Sequence, residues 1–300
     1  MGVLAGWRYR RPITINNSNN SSSLTNYQIL TTLDTASLIS AGKMRSDGGD
    51  IRFTDSDGTT LLNYWVESGI NTSSTYIWVK VPSIPANSTK TIYVYYGNPN
   101  ATSLSNGDNT FDFFDDFTGS SLNPAKWSSS SGASVSNGEL ILGAGGYVIS
   151  STSFSGNIMV KDRRMITSDY DLDTNFRYVD SNNYYNGRIS TYASEGIQLQ
   201  KYVGGSETHI SGSVAGSLNT YYVVQSWIVD STVGTSNPTL GTVTQTWSYF
   251  SQGYIRLRAQ NGGKFDWIFV RKYTSPEPTT SVGTEELVFI GTRRRLIFIR

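Results

Sequence analysis

The sequence predicts an all-β chain of two β-sandwich domains, and three observations carry that prediction. Apolar and aromatic residues recur at every second position over short stretches, with Gly, Pro, Asn, Asp and Ser between them. Charged residues make up only 16% of the 300, while the chain has 19 Tyr and 29 Gly and is rich in Ser, Thr and Asn. That composition suits strands joined by polar turns and serves long surface helices poorly, since those want Glu, Lys, Ala and Leu. Finally, FDFFDDFTGSSLNPAKW, from Phe111 to Trp127, marks a change of composition and holds Asp115 and Asp116 among aromatic residues. It reads as the point where one β-domain closes and the next opens, a rigid joint rather than a flexible linker, and the chain is long enough for two domains.

In order, WRYRRPITI places Trp7, Tyr9, Ile13 and Ile15 on one strand face, and NNSNNSSS follows as a loop. YQILTTLD is a second strand, TASLISAGKM contains the one short helix expected here, and DIRFTD is a strand before the turn SDGTT. LLNYWVE, YIWVKVP and KTIYVYYGN complete the first domain, residues 1–110. Asp55 and Asp57 in DSDG hint at a calcium loop, but a hairpin turn explains them better, because the later acidic ligand of an EF-hand is missing.

The bulk numbers exclude several classes. With 24 basic and 23 acidic residues, nothing favours nucleic acid. The absence of Cys removes disulfides, thiolate metal sites and cysteine nucleophiles. No apolar run reaches membrane-spanning length, and the opening MGVLAG lacks the regions of a signal peptide, so the expectation is that a natural leader was removed and a start Met added. Asn-x-Ser/Thr triplets at Asn16, Asn19, Asn20, Asn71, Asn87 and Asn100 all fall in the first domain. They reflect either an Asn- and Ser-rich composition or a glycosylated surface.

Five blocks in order, WRYRRPITI, LTNYQIL, SDGGDIRFTDSDGTTLLNYWVE, YIWVKVPSIPANSTKTIYVYYGNPNA and FDFFDDF, resemble the uncharacterised domain family numbered 2341. The resemblance covers about residues 7–117 and implies a prokaryotic exported protein with a lectin-like neighbour, without assigning an activity.

The second domain, residues 111–275, carries NGELIL, YDLDTNFRYVDSNNYYNGRISTY, IQLQKYVGG, TYYVVQSWIVD, TVTQTWSYF, YIRLRAQ and FDWIFVRKY as strands, enough for a two-sheet jelly roll. FFDDFTG, SNGELIL and FDWIFVRKY in this order resemble the concanavalin-A-like jelly roll of laminin-G-like modules and of laminarinase-type glycoside hydrolases. By alternation, Asp266 shares a face with Ile268 and Val270, an expensive place for an unpaired carboxylate. The resemblance implies a structural Ca2+ held by the Asp266 carboxylate and the carbonyls of Asp116 and Gly138, all oxygen donors. The other reading pairs Asp266 with Lys264, an Arg or backbone N–H groups.

Glycoside hydrolysis needs paired carboxylates. Asp169, Asp171 and Asp173 alternate but read as a strand start, and the strand equivalent to the hydrolases' Glu-x-Asp-x-Glu is GIQLQ, with Gly196, Gln198 and Gln200 at the carboxylate positions. Amides do not act as proton donor or nucleophile at neutral pH. Glu195 and Glu207 flank this strand without forming a pair, and the sole histidine, His209, has no Ser/Asp constellation. The expectation is therefore a non-catalytic module with no catalytic residues, which binds a glycan or cell-surface polymer through Tyr184, Tyr185, Arg188, Gln198, Gln200 and Trp227. A structural subunit of a surface layer or filament is the competing reading, and a glycoside hydrolase is the third. Residues 276–300 read as a Pro/Thr/Ser linker followed by an apolar and basic tail. Leu287 to Arg300 is either a hairpin, a cloning remnant, or a segment that self-associates by adding to another subunit's sheet edge.

Overall fold

A computed structural model describes residues 2–192 and 194–288. They form two compact units: residues 2–110 together with 276–288, and residues 111–275.

The first unit contains β1 (Tyr9–Asn16), β2 (Leu24–Leu33), α1 (Thr35–Ser40), β3 (Arg52–Thr54), β4 (Leu61–Leu62), β5 (Tyr64–Ser68), β6 (Thr75–Ile84), β7 (Thr89–Tyr96) and α2 (Gly107–Thr110). Asp34 caps α1 by accepting the Ser37 N–H at 3.0 Å. One sheet runs β1–β7–β3–β4 and the other β2–β6–β5, all antiparallel. Alternate residues of both fill one core: Ile13, Ile15, Phe53, Ile92 and Val94 from the first, Tyr27, Ile29, Ile77, Val79 and Val81 from the second.

The second unit contains β8 (Phe113–Asp115), β9 (Trp127–Ser136), β10 (Glu139–Ser155), β11 (Ile158–Ile166), β12 (Asp171–Asp180), β13 (Asn183–Ser190), β14 (Ile197–Val203), β15 (Ser206–Ser211), β16 (Tyr221–Val229), β17 (Thr232–Asn237), β18 (Gly241–Thr246), β19 (Gln252–Ala259) and β20 (Gly263–Lys272). Hydrogen bonding is continuous in the order β15–β14–β13–β12–β19–β10–β20–β11–β16–β17–β18. The 17-residue β10 pairs with β20 through Leu140–Leu142 and with β19 through Tyr147–Ser155, with a register shift between Ile149 and Ser153. It thereby links two layers that pack face to face over one core, where Ile189 and Leu199 of one layer meet Val224 and Val233 of the other. The approach is close at Gly187 on β13, where a Cβ would lie 2.0 Å from Ser226 Oγ on β16.

The stretch from Phe111 to Trp127 lies wholly in this unit. Phe113, Phe117 and Trp127 enter its core. Asp115 is buried, accepting the Trp127 indole N–H at 2.6 Å and the Phe117 N–H at 2.9 Å. Burial raises its pKa against those bonds.

Pro276 onward corrects the reading of a linker. β21 (Thr279–Val282) and β22 (Glu286–Leu287) both pair antiparallel with β1, Ile13 opposite Val282 and Tyr9 opposite Leu287. Glu285 bridges to Lys43 at 2.5 Å and Glu286 to Arg10 at 2.7 Å. Local pattern could not reveal this, because TTSV is short and polar and its partner strand lies at the other end of the chain. Of the segment proposed for self-association, Leu287 pairs within its own chain, and residues 289–300 lie outside the described residues. Among the six glycosylation triplets, Asn20 is 8% exposed, while Asn16, Asn19, Asn71, Asn87 and Asn100 are exposed.

Candidate functional site

Strand alternation makes the two faces of β12–β14 chemically opposite. Leu172, Phe176, Tyr185, Ile189, Ile197 and Leu199 point into the core. The residues between them point away from it, and antiparallel register aligns them in rows. The first row sets Arg258, Asp173, Arg188 and Gln198 side by side. The second sets Arg256, Asn175, Asn186 and Gln200. In the third, Tyr184 faces Tyr202 across the strands, with ring centroids 4.5 Å apart, and Tyr178 lies 5.8 Å from Tyr184.

The polar rows form one hydrogen-bonded network. Asp173 accepts from Arg188 Nε at 2.7 Å, Arg258 Nη1 at 3.0 Å and Asn186 Nδ2 at 3.0 Å. Asn186 also donates to Gln200 Oε1 at 2.7 Å, and Gln200 donates to Gln198 Oε1 and to Glu207 Oε1, both at 3.0 Å. Gln198 in turn donates to Glu195 at 2.9 Å, and the Tyr202 hydroxyl donates to Glu207. Arg188 spans two carboxylates, since it also bridges to Asp171 at 2.7 Å. Asp173, Asn186, Gln198 and Gln200 are each no more than 2% exposed. This is a pre-set array of planar polar groups beside a row of aromatic rings. Four buried atoms on the same face, Asp171 Oδ1, Asn175 Oδ1, Asn186 Oδ1 and Arg256 Nε, have no hydrogen-bond partner among the described residues.

Electrostatics separates the two aspartates. Burial pushes the Asp173 pKa up, but the Arg188 charge and hydrogen bonds, with Arg258 and Asn186, outweigh it and hold the group at about 2. At Asp171, burial prevails over the attraction of Arg188 and a hydrogen bond with Ser190, with the Asp173 charge adding to burial, and the pKa is raised.

The structure brings together four of the six binding candidates, Tyr184, Arg188, Gln198 and Gln200. It removes two. Tyr185 is fully buried in the core, stacked on Trp247 with its hydroxyl accepting the Tyr249 N–H at 2.8 Å. In the adjacent YY pair only one ring can face outward. Trp227 lies on β16, on the outer side of the opposite layer, packed over Gly234, where a Cβ would come within 2.3 Å of the indole. Sequence reasoning missed Asp173, Asn186, Tyr202, Arg256 and Arg258. The usable signal was the repeated spacing of two in Asp171/Asp173, Asn186/Arg188 and Gln198/Gln200. β12 starts at Asp171, as the reading of a strand start expects, and Asp171 and Asp173 are its first residues on this face.

The implied calcium site assembles in backbone only. β20 pairs with β8 at Ile268–Asp115 and with β10 at Phe265–Leu140, which brings Asp116 and Gly138 to the level of Asp266. A bulge at Asp266, where the register with β11 shifts between Arg163 and Arg164, breaks the expected alternation. Phe265, Ile268 and Val270 face the core, and the Asp266 carboxylate turns away from Ile268 and Val270 to bond Arg163 Nη1. Neighbouring Glu139 is paired with Lys264 at 3.0 Å, and the Asp116 side chain accepts from Thr118. Both carboxylates here are thus paired with cations, and the contact made by Asp266 is the arginine pairing, the second of the two readings drawn from the sequence. Among the described residues no group of three or more His, Asp or Glu side chains gathers as a metal site.

Comparison with known proteins adds a domain-level likeness. Residues 47–130 match the model of a domain of unknown function, DUF2341, starting later than the sequence blocks and ending inside the second unit. No curated protein matches the chain. Among solved structures, the carbohydrate-binding module CBM66 from Bacillus subtilis is similar at 13% identity and TM-score 0.38, covering 57% of this chain and 96% of its own. The Bacillus licheniformis β-glucanase is similar at 11% and 0.44, covering 54% and 98%. The endo-β-1,3-glucanase of Pyrococcus furiosus stands at 11% and 0.45, covering 55% and 95%. At such values the likeness carries no argument, and the assignment of an all-β, sandwich-built chain rests on the strand pairing described above.

Proposed function

We propose that the chain is a non-catalytic, exported surface module whose second unit binds carbohydrate on the outer face of β12–β14. One observation carries this reading: a buried, hydrogen-bonded row of Asp173, Asn186, Arg188, Gln198 and Gln200 lies beside the Tyr178, Tyr184 and Tyr202 rings. Sugar rings are recognised by planar polar groups that exchange hydrogen bonds with hydroxyls and by aromatic surfaces that take their C–H faces. Pre-organised groups hold down the entropic cost of binding.

Hydrolysis is disfavoured by the same network. A nucleophile or acid must be free to reach substrate, whereas both Asp173 oxygens accept from arginines. Glu195 and Glu207 are tied to Gln198 and Gln200. No helix among the described residues is long and apolar enough to cross a membrane.

A glycan array tests the proposal. Reproducible binding that is lost in Gln200→Ala and Tyr202→Ala, and kept in Trp227→Ala, supports it. A blank array with well-folded protein favours the structural-subunit reading, and release of reducing sugar from a bound polysaccharide overturns the non-catalytic assignment.

A further inference from the structure

The first unit has a cavity of its own, of about 210 Å³, at the C-terminal end of α1 beside β1 and the residues that follow β7. Arg8, Tyr9, Lys43, Arg45 and Asp50 line it, with Met44 and Pro99 adding apolar surface. Three cations therefore face one carboxylate. That carboxylate is committed to the fold: Asp50 is 1% exposed and accepts the Arg45 N–H at 3.1 Å and the Gly97 N–H at 2.7 Å. Two of the cations are also committed. Arg45 grips Asp47 with two nitrogens, at 2.9 and 2.7 Å, and the Pro99 carbonyl with a third. Lys43 bridges to Glu285 at 2.5 Å and lies over the Tyr9 ring. Arg8 is different: it is exposed, lines the cavity, and makes no hydrogen bond or ion pair through its side chain with any described residue.

The chain already shows what this corner of the unit attracts. Glu285 gives one carboxylate oxygen to Lys43 and accepts the Tyr96 hydroxyl proton at 2.8 Å on the other. Although burial opposes it, these two partners hold the Glu285 pKa below the usual carboxylate range. One carboxylate is thus bound by the lining residue Lys43, while the guanidinium of Arg8, a planar fork suited to carboxylate, has none among the described residues.

We propose that this cavity binds one acidic sugar unit, a hexuronate, with its carboxylate on Arg8. The size limits the occupant: about 210 Å³ holds roughly seven waters at ~30 Å³ each, room for a single ring and little more. The lining limits its chemistry. Tyr9, Met44 and Pro99 set apolar surface among the charged groups of Arg8, Lys43 and Arg45, a mixture that suits the C–H faces and hydroxyls of a polyhydroxylated ring with an acidic group. The site lies in the first unit and does not depend on the glycan-binding face of the second.

Calorimetric titration of the full chain with sodium glucuronate, with glucose as the neutral control, tests the assignment. Glucuronate binds, glucose does not, and Arg8→Gln weakens glucuronate at least tenfold while Arg8→Lys restores part of the loss. Because Arg8 is exposed and its side chain has no partner among the described residues, Arg8→Gln melts with the parent protein, so lost binding is not lost folding. The proposal falls if glucuronate fails to bind, or if Arg8→Gln binds it unchanged. It also falls if acetylated alanine binds as well as glucuronate, which makes the ligand any small carboxylate. Loss in Gln200→Ala with retention in Arg8→Gln places the acid on the second unit's face instead, and overturns it equally.

Discussion

The two faces of β12–β14 are built from the same strands by alternate residues, yet they obey different rules. Toward the core, Ile189, Ile197 and Leu199 need only be apolar and of the right volume, and Gly187 leaves room for the opposite layer. Toward the outside, each group has named partners. Removing the Asp173 carboxylate there takes the partner of Arg258 and leaves Arg188 with Asp171 alone, whereas trimming an apolar side chain leaves a cavity. The core face is tolerant in chemistry and strict in volume, and the outer face is strict in chemistry as well.

The sharpest test of that contrast is Asp173→Asn. It keeps the volume and removes the charge shared by Arg188 and Arg258, and at pH 7 it should cost about 3 kcal/mol, read from urea midpoints. The pH dependence carries a sign. Asp173 is held at about 2, below its unfolded value of roughly 3.9, so its contribution is fully present above that value and is lost as pH falls through about 2. The gap between parent and variant should close between roughly pH 4 and pH 2, and a gap independent of pH would sink the electrostatic account. Next in size, Gly187→Val forces a branched side chain against Ser226 and Thr235 and should cost about 2 kcal/mol while leaving the outer face chemically intact. If Gly187→Val melts like the parent, the layers are not packed as described. Gln200→Ala should cost only about 1 kcal/mol in stability, yet abolish glycan binding, because Gln200 joins Asn186, Gln198 and Glu207. The smallest effect belongs to calcium. Excess chelator should leave the melting temperature unchanged, and a rise of several degrees on adding Ca2+ would restore the ion at Asp266.

The same contrast explains what was legible in the sequence. Alternation and turn residues located most strands, because core membership is written in each residue's own polarity. IQLQ exposed its amide pair, so Gln198 and Gln200 could be named. Asp173 could not be assigned a role, because its meaning depends on cross-strand register with Arg188 and Arg258, a non-local quantity. Asp266 failed for a related reason: one extra residue in a bulge inverts the face on which every strand-parity argument relies. Tyr184 and Tyr185 show the limit most plainly, since parity says that they differ and only the register of the whole strand says which is inside.

The return of the chain to β1 has a mechanical consequence. Residues 8 and 288 leave neighbouring antiparallel strands at the same end, where the Val288 N–H bonds the Arg8 carbonyl. Tension between those two points loads the β1–β22 and then the β1–β21 bonds one after another, as a zipper opens, instead of in parallel. The second unit is strung between Thr110 and Pro276, behind that zipper, and carries no load until β21 has peeled away. Tugging on the ends is thus spent on a few strand pairs of the first unit, and the polar face of β12–β14 is spared.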